Sequence, residues 1–261
     1  MRIDRDHVRE EFRTYTDRYD SHDPKVALKI DHTYRVAEDA DRISNSEDVA
    51  EEDQDIGWFL GMMHDIGRFE QLKNYHTFYD AKSVNHAAYG ADILFHGGLI
   101  RTMTNDCSED ALIEKAIRLH NVFELPEGLS DRERFFCDLI RDADKVDILK
   151  VICVTPFDDI YDCTLEELRW GTISEPAYAD ILQHRTVNRK TSSTYMDAYI
   201  NKISFVYGLV YPESFRIVRE QGYLDQLLAF ESENPDTKEK MKKIREDVNE
   251  YINGKCGSCS L

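Results

Sequence analysis

The chain has 261 residues, of which 41% are hydrophobic and 32% are charged, an ordinary balance for a globular protein. Its 33 basic and 51 acidic residues give a formal net charge of −18, which opposes non-specific binding to nucleic acid polymers and to anionic membranes. No apolar run is long enough to span a bilayer, and no apolar signal-peptide core follows the first methionine. We therefore expect a cytoplasmic protein that associates neither with membranes nor with nucleic acid polymers.

The six cysteines do not form a spaced disulfide framework, so we expect reduced thiols. Four of them are scattered along the chain. The other two, Cys256 and Cys259, fall in the segment 254–261, which we predict to be a flexible tail.

The first two predicted helices are amphipathic. Near the N-terminus, apolar residues recur at steps of three or four, at Val8, Phe12, Tyr15 and Tyr19. Pro24 suits the first turn of a second helix. Because Leu28, His32 and Val36 share one face of that helix, we expect His32 to point inward.

A third predicted helix leads to a histidine and an aspartate side by side. Its buried face is marked by Ile56, Phe59, Leu60 and Met63. The helix is predicted to end near Gly67, which places His64 and Asp65 in its last turn. Imidazole and carboxylate together are good ligands for a borderline divalent cation.

Two further histidines and one aspartate are expected on the helices that follow. In residues 68–82 the apolar residues follow no regular spacing, so we predict a loop, packed over the site of His64 and Asp65. Ser83 is a candidate N-cap for a helix that contains His86, and His120 stands at the end of the next apolar stripe. A capping box at 130–133 opens another helix, in which Asp144 lies.

Strand signals are nearly absent, so the predicted fold is all-α. A capping box at 164–167 and a long aromatic-rich helix at 191–211 are predicted in the second half. We expect a single all-α domain over 1–261, with a metal-binding core at 25–155 and additional C-terminal helices at 156–253 packed on that core.

Six polar side chains are predicted to point into the helical core. They are His32, His64, Asp65, His86, His120 and Asp144. Any one inward histidine is most simply a hydrogen-bonded core residue. Because buried carboxylates are costly unless they are paired or coordinate a metal, six such residues together favour a metal site.

The ordered series H…HD…H…H…D resembles that of the HD-domain metal-dependent phosphohydrolase superfamily. The resemblance covers roughly residues 25–155, and the full series is similar to the branch that holds two metals. It implies an HD-domain helical bundle. It also implies that His32, His64, Asp65 and Asp144 bind one metal and that His86 and His120 bind a second, with Asp65 bridging the two.

The activity implied by the resemblance is hydrolysis of a phosphate ester of a small molecule, possibly a nucleotide. Two divalent transition-metal ions (Fe, Mn, Co, Ni or Zn) would activate a bridging hydroxide. Arg68 could hold a phosphate oxygen, or form a surface salt bridge with Glu70 or another acidic residue. Lys145 resembles a position that can face substrate, although it could also orient Asp144 or lie in solvent.

Several neighbouring residues keep two interpretations. Asp80 and Ser83 could support ligands or cap a helix, and His76 could be a proton donor or a loop histidine. The basic cluster Arg185, Arg189 and Lys190 is most simply a solvated patch, and contact with a substrate phosphate is the alternative.

Two other classes of function are compatible with the series. Di-iron oxygenases within the same superfamily use similar ligands, and a non-enzymatic regulator could keep a purely structural metal. The Gly-Tyr-Pro signature of the cyclic-dinucleotide phosphodiesterases is absent, since the only Tyr-Pro, at Tyr211–Pro212, follows Val210. The sequence does not indicate an oligomeric state.

Overall fold

The computed structural model describes residues 1–160 and 163–257, and within those ranges every regular element is a helix. The predicted all-α fold is therefore confirmed. No helix in the described ranges is both long and apolar enough to cross a bilayer. Of the segment 254–261 that was predicted as a tail, residues 254–257 are helical, and residues 258–261 and the side chain of Cys256 lie outside the described part of the chain.

The chain divides into two compact units, Met1–Asp147 and Ile148–Leu261. The single-domain arrangement, with further helices packed on the core, stays a prediction. Eight α-helices begin in the first unit: α1 Arg5–Thr16, α2 Pro24–Ser46, α3 Glu51–Met63, α4 Gly67–Tyr75, α5 His86–Ala91, α6 Ile100–Met103, α7 Asp110–Leu119 and α8 Asp131–Val154. A π-helical turn, Asp92–His96, continues α5.

The α-helices that begin in the described part of the second unit are α9 Phe157–Ile160, α10 Leu165–Trp170, α11 Glu175–Leu182, α12 Tyr195–Ile203, α13 Pro212–Gln221, α14 Tyr223–Leu228 and α15 Pro235–Gly257. A 3-10 segment, Ser204–Gly208, follows α12. The predicted long helix at 191–211 is therefore wrong at both ends. Its start is fixed by a capping box between Thr194 and Asp197, which favours a new helix at Tyr195.

Helices α2 and α3 pack backbone against backbone. A Cβ added at Gly61 would lie 2.4 Å from the Cα and 2.8 Å from the backbone nitrogen of Ala37. Around this contact, α3 is buried without interruption from Ile56 to Met63. The close approach brings the C-terminal end of α3, where His64 and Asp65 lie, next to the inward face of α2.

The segment predicted as a loop at 68–82 is largely helical, and that prediction is wrong. Gly67 begins α4 instead of ending the preceding helix. A Cβ at Gly67 would lie 2.4 Å from the carbonyl oxygen of His86 and 2.6 Å from the nitrogen of Gly90, so glycine lets α4 approach the backbone of α5. On its other side, α4 buries Phe69 against Phe12 and Tyr15.

Ser83 is not the N-cap of α5. Asn85 fills that position, and its side-chain oxygen accepts a hydrogen bond from the Ala88 N–H. The Ser83 hydroxyl instead donates to the carbonyl of Tyr79 and accepts from Gln71. Serine and asparagine are both favoured as N-cap residues. The helix starts at His86, so the residue in the capping position is Asn85 and not Ser83.

One carboxylate on α2, that of Asp39, is partly buried. The Oδ2 atom of Asp39 is buried and has no hydrogen-bond partner in the described part of the chain. Burial, reinforced by the negative charge of Asp147, raises the pKa of Asp39 to about 7. A raised carboxyl pKa in the folded state means that stability is lost as pH rises from about 4 toward 7, because the unfolded chain then binds fewer protons.

The variant Asp39→Asn should therefore be more stable than the wild type, and increasingly so at higher pH. The difference in the free energy of unfolding should grow by roughly 2–3 kcal/mol between pH 5 and pH 8. Thermal melts at the two pH values measure this change. Glu38→Gln, at the exposed neighbouring position, is the control and should shift stability by less than about 0.5 kcal/mol. A pH-independent difference for Asp39→Asn would contradict the prediction.

Candidate metal centre

The six predicted ligands come from five helices and meet at one place. His32 lies on α2, His64 and Asp65 directly follow α3, and His86 begins α5. His120 directly follows α7, and Asp144 lies on α8. The four histidines and Asp65 are buried, and 18% of the Asp144 side chain is exposed.

Asp65 lies between two groups of histidines. Its Oδ2 atom is 3.5 Å from Nε2 of His32 and 3.6 Å from Nε2 of His64. Its Oδ1 atom is 3.4 Å from Nε2 of His86 and 3.8 Å from Nε2 of His120. Each carboxylate oxygen therefore belongs to a separate group of donors, and each group could hold a metal ion.

Asp144 extends the first of these groups. Its Oδ1 atom lies 3.3 Å from Nε2 of His32 and 3.7 Å from Nε2 of His64. We call the donors of His32, His64, Asp144 and Asp65 Oδ2 the first group. The donors of His86, His120 and Asp65 Oδ1 form the second group.

All four imidazole rings are held in the same tautomer by their Nδ1 atoms. Each Nδ1 lies 2.6–2.8 Å from an oxygen that can only accept a hydrogen bond: Asp147 Oδ2 for His32, Gly61 O for His64, Asp80 Oδ2 for His86 and Ile117 O for His120. In the neutral ring the proton therefore resides on Nδ1, and the Nε2 lone pair is available as a ligand.

The Nε2 atoms face one another in pairs, 3.3 Å apart in the first group and 3.0 Å apart in the second. In the second pair, the neutral rings of His86 and His120 both present lone pairs at this distance and gain nothing from each other. A cation about 2.0–2.2 Å from each donor would hold neighbouring donors about 2.8–3.6 Å apart. Six of the eight observed separations lie between 3.0 and 3.6 Å. The other two, 3.7 Å from Asp144 to His64 and 3.8 Å from Asp65 to His120, exceed that range slightly, so the spacing in each group is close to what such an ion requires.

Three of the histidines are poised to act as neutral ligands. Burial lowers the pKa of His64, and it lowers the pKa values of His86 and His120 to about 4. Desolvation disfavours the charged imidazolium, so these rings keep their lone pairs at neutral pH.

For His32 and Asp65, unlike the other three histidines, the pKa shifts favour the charged form. Burial opposes a charge on His32, but hydrogen bonds to Asp144, Asp147 and Asp65 raise its pKa to about 10. Burial also opposes ionisation of Asp65, but Lys29 and His64 hold its pKa well below its usual range. Asp65 is therefore an anion at neutral pH, as a ligand must be.

Two supporting carboxylates were not assigned to ligands from the sequence. Asp147, which is fully buried, accepts from Nδ1 of His32 and from Nε and Nη2 of Arg35. It lies three residues after Asp144, a helical spacing that could have identified it. Asp80, for which the sequence left two interpretations, lies 2.6 Å from Nδ1 of His86 and does not cap a helix.

Arg68 is anchored beside Asp65 and does not pair with Glu70. Its Nη1 atom donates to Gln71 Oε1, Phe78 O and Asp80 Oδ1. Its Nε atom lies 3.5 Å from Asp65 Oδ1 and, within the described residues, has no hydrogen-bond partner although it is buried. The anchored guanidinium therefore presents an unsatisfied N–H toward the second group.

Two lysines lie close to the ligands. Lys29, which belongs to no sequence motif, is on α2 one turn before His32, and its Nζ is 2.6 Å from Asp65 Oδ2. Lys145 directly follows Asp144 on α8, and burial lowers its pKa to about 8.

The other histidines lie elsewhere. His76 is exposed, ends α4 in the left-handed region at φ 57°, and so does not serve the cluster. His7, His22, His96 and His184 contact Thr102, Asp20, Asp92 and Asp247. In the basic cluster, Arg185 pairs with Asp180.

Comparison with known proteins agrees with this geometry. Residues 30–149 match the model of the HD domain family, a range that contains all six clustered ligands. No curated protein and no solved structure matches the chain. HD domains are, for the most part, domains of metal-dependent hydrolases. The match and the His/Asp cluster within it identify residues 30–149 as an HD domain.

Proposed function

We propose that the protein is a phosphohydrolase that uses two divalent transition-metal ions to hydrolyse a phosphate ester of a small molecule. The observation that carries the proposal is the division of Asp65 between two donor groups, with four imidazole Nε2 atoms directed at its two oxygens. A single structural metal would need only one of these groups. When bound, two such ions supply Lewis acidity and lower the pKa of a water between them.

The charges around the cluster support an anionic substrate. Two bound divalent cations would outweigh the carboxylates Asp65 and Asp144. Lys29, Arg68 and Lys145 add positive charge within the same region. A local positive field of this kind can bind a phosphate ester in a chain whose net charge is −18. The net charge itself opposes a nucleic acid polymer as substrate.

Arg68 is placed to hold a phosphoryl oxygen. Three hydrogen bonds through Nη1 fix the plane of its guanidinium, and the buried Nε–H lacks an acceptor among the described residues. An oxygen of the substrate would satisfy that donor in a charge-assisted hydrogen bond. Lys145 lies next to Asp144 and would assist by its positive charge.

The test is hydrolysis by protein of known metal content. Chelator-stripped protein is reloaded separately with Mn, Fe, Co, Ni or Zn and incubated with aryl phosphates and a panel of nucleotides, and phosphate release is measured with and without oxygen. We expect hydrolysis that depends on metal and is independent of oxygen. Fully loaded protein that releases no phosphate would contradict the proposal, and consumption of oxygen would indicate an oxygenase.

The variant Asp80→Asn should weaken the second metal selectively. Asparagine keeps the size of the side chain but removes the charge that holds the Nδ1 proton of His86. We expect the affinity for the second metal to fall by about 10- to 100-fold, with the first little changed. Asp147 holds Nδ1 of His32 in the first group, so Asp147→Asn should lower the affinity for the first metal and leave the second little changed. Metal titration by calorimetry measures both, and equal losses at both groups in either variant would contradict the assignment.

A further inference from the structure

Lys29 is the polar side chain closest to Asp65. Its Nζ lies 2.6 Å from Asp65 Oδ2, and it also lies 5.6 Å from the centroid of the Phe78 ring. Arg68 approaches the same carboxylate from its other oxygen, Oδ1, and lies 5.7 Å from the same ring. Two cationic side chains thus flank Asp65, and both lie within 6 Å of the centroid of the Phe78 ring.

Bound metal ions would change what Lys29 can pair with. Asp65 Oδ2 belongs to the first donor group, so a divalent cation there would take up the negative charge that now balances the ammonium. Two positive charges on one carboxylate oxygen repel each other strongly where water is scarce. The ammonium then needs another anion, and 16% of the Lys29 side chain is exposed, which gives it access to the solvent side of the cluster.

The long side chain makes such a change of partner possible. Four methylene groups separate Nζ from the α2 backbone, and the ammonium is a compact charge without the fixed planar geometry of a guanidinium. Arg68, by contrast, is immobilised through Nη1.

We propose that Lys29 binds the phosphoryl group of the substrate in the metal-loaded protein, opposite Arg68, so that the two cations hold the phosphate from both sides of Asp65. This inference rests on the proposed phosphohydrolase function. The competing explanation is that Lys29 only balances the charge of Asp65 when metal is absent.

Binding of inorganic phosphate to Mn-loaded protein distinguishes the two explanations without turnover. Lys29→Met and Lys29→Gln are compared with wild type by calorimetry at matched metal content. Lys25→Met, at an exposed position one turn earlier on α2, is the control. We expect phosphate affinity to fall by about 10- to 100-fold in both Lys29 variants, as for loss of a charged hydrogen bond, and to stay unchanged in Lys25→Met. Lys29→Arg should retain part of the affinity.

Unchanged phosphate affinity in the Lys29 variants, together with lower thermal stability of their metal-free forms, would overturn the proposal in favour of a counter-ion. The use of two substitutions keeps the test decisive if one of them does not fold. A wild type that binds phosphate but hydrolyses no ester would refute the proposed function alone. Hydrolysis by the wild type with equal phosphate binding by the variants would refute only the role of Lys29.

Discussion

Asp65→Asn is expected to empty both donor groups and to abolish hydrolysis. Asp65 is the one side chain shared by the two groups. Its carboxylate offers an anionic oxygen to each cation, whereas the asparagine side chain is neutral and has a single oxygen. Two bound metal ions would contribute several kcal/mol to transition-state stabilisation, and about 1.4 kcal/mol corresponds to a tenfold change in rate. We therefore expect activity to fall by roughly 10³-fold or more. Metal analysis by mass spectrometry and phosphate release measure the two effects.

A variant that changes only one donor group provides the comparison for this test. His120→Ala removes a donor from the second group only, so it should leave about one metal per chain where Asp65→Asn leaves almost none. Asp31→Asn, at an exposed position next to His32 on α2, should bind metal as the wild type does. If Asp65→Asn and His120→Ala lost the same amount of metal, the shared role of Asp65 would be refuted.

Gly61→Ala is expected to destabilise the protein and to disturb the metal centre together. The added Cβ would meet the Cα, the nitrogen and a carbonyl oxygen of neighbouring backbone at 2.4–2.9 Å, all in the Ala37 turn of α2. Backbone cannot yield by side-chain rotation, so α2 and α3 must separate. We expect a loss of about 3 kcal/mol or more, seen as a fall of roughly 6–12 °C in Tm.

Gly57→Ala is the matched control, one turn earlier on α3. Its Cβ would approach the end of the Leu139 side chain at 2.8 Å and the side chain of Ser44 at 3.3 Å. A leucine methyl can rotate away, and alanine favours the helix by up to about 1 kcal/mol over glycine. Gly57→Ala should therefore cost much less than Gly61→Ala. Equal stability of the two variants, with full metal content in both, would show that the close approach at Gly61 is not needed.

The helical fold and the clustered side chains could be predicted because both depend on local patterns. Apolar spacing on α2 and α3 turns His32 inward and ends α3 at His64, and the ordered series then identifies the partners. The loop expected at 68–82 was wrong because α4 is short and buries only Phe69 and Leu72 among its larger apolar residues, which gives a weak period.

The supporting residues depend on three-dimensional proximity that the sequence does not reveal. Asp147 could have been found by its helical spacing from Asp144, but its bond to His32 crosses 115 positions of the chain. Lys29 and Gln71 have no motif of their own. Gln71 is fully buried, and it is identified only by the hydrogen bonds that tie Arg68 to Asp80.

The contact between Gly67 and Gly90 restricts how this protein can be re-engineered. Each of these positions faces the backbone of the other, and a Cβ at Gly90 would already lie 3.0 Å from the Gly67 nitrogen. A library that varies position 67 to reshape substrate preference would move the first residue of α5, which is His86. Selection for new specificity should therefore leave both glycines fixed and vary exposed side chains, which can change without moving the backbone of α4 or α5.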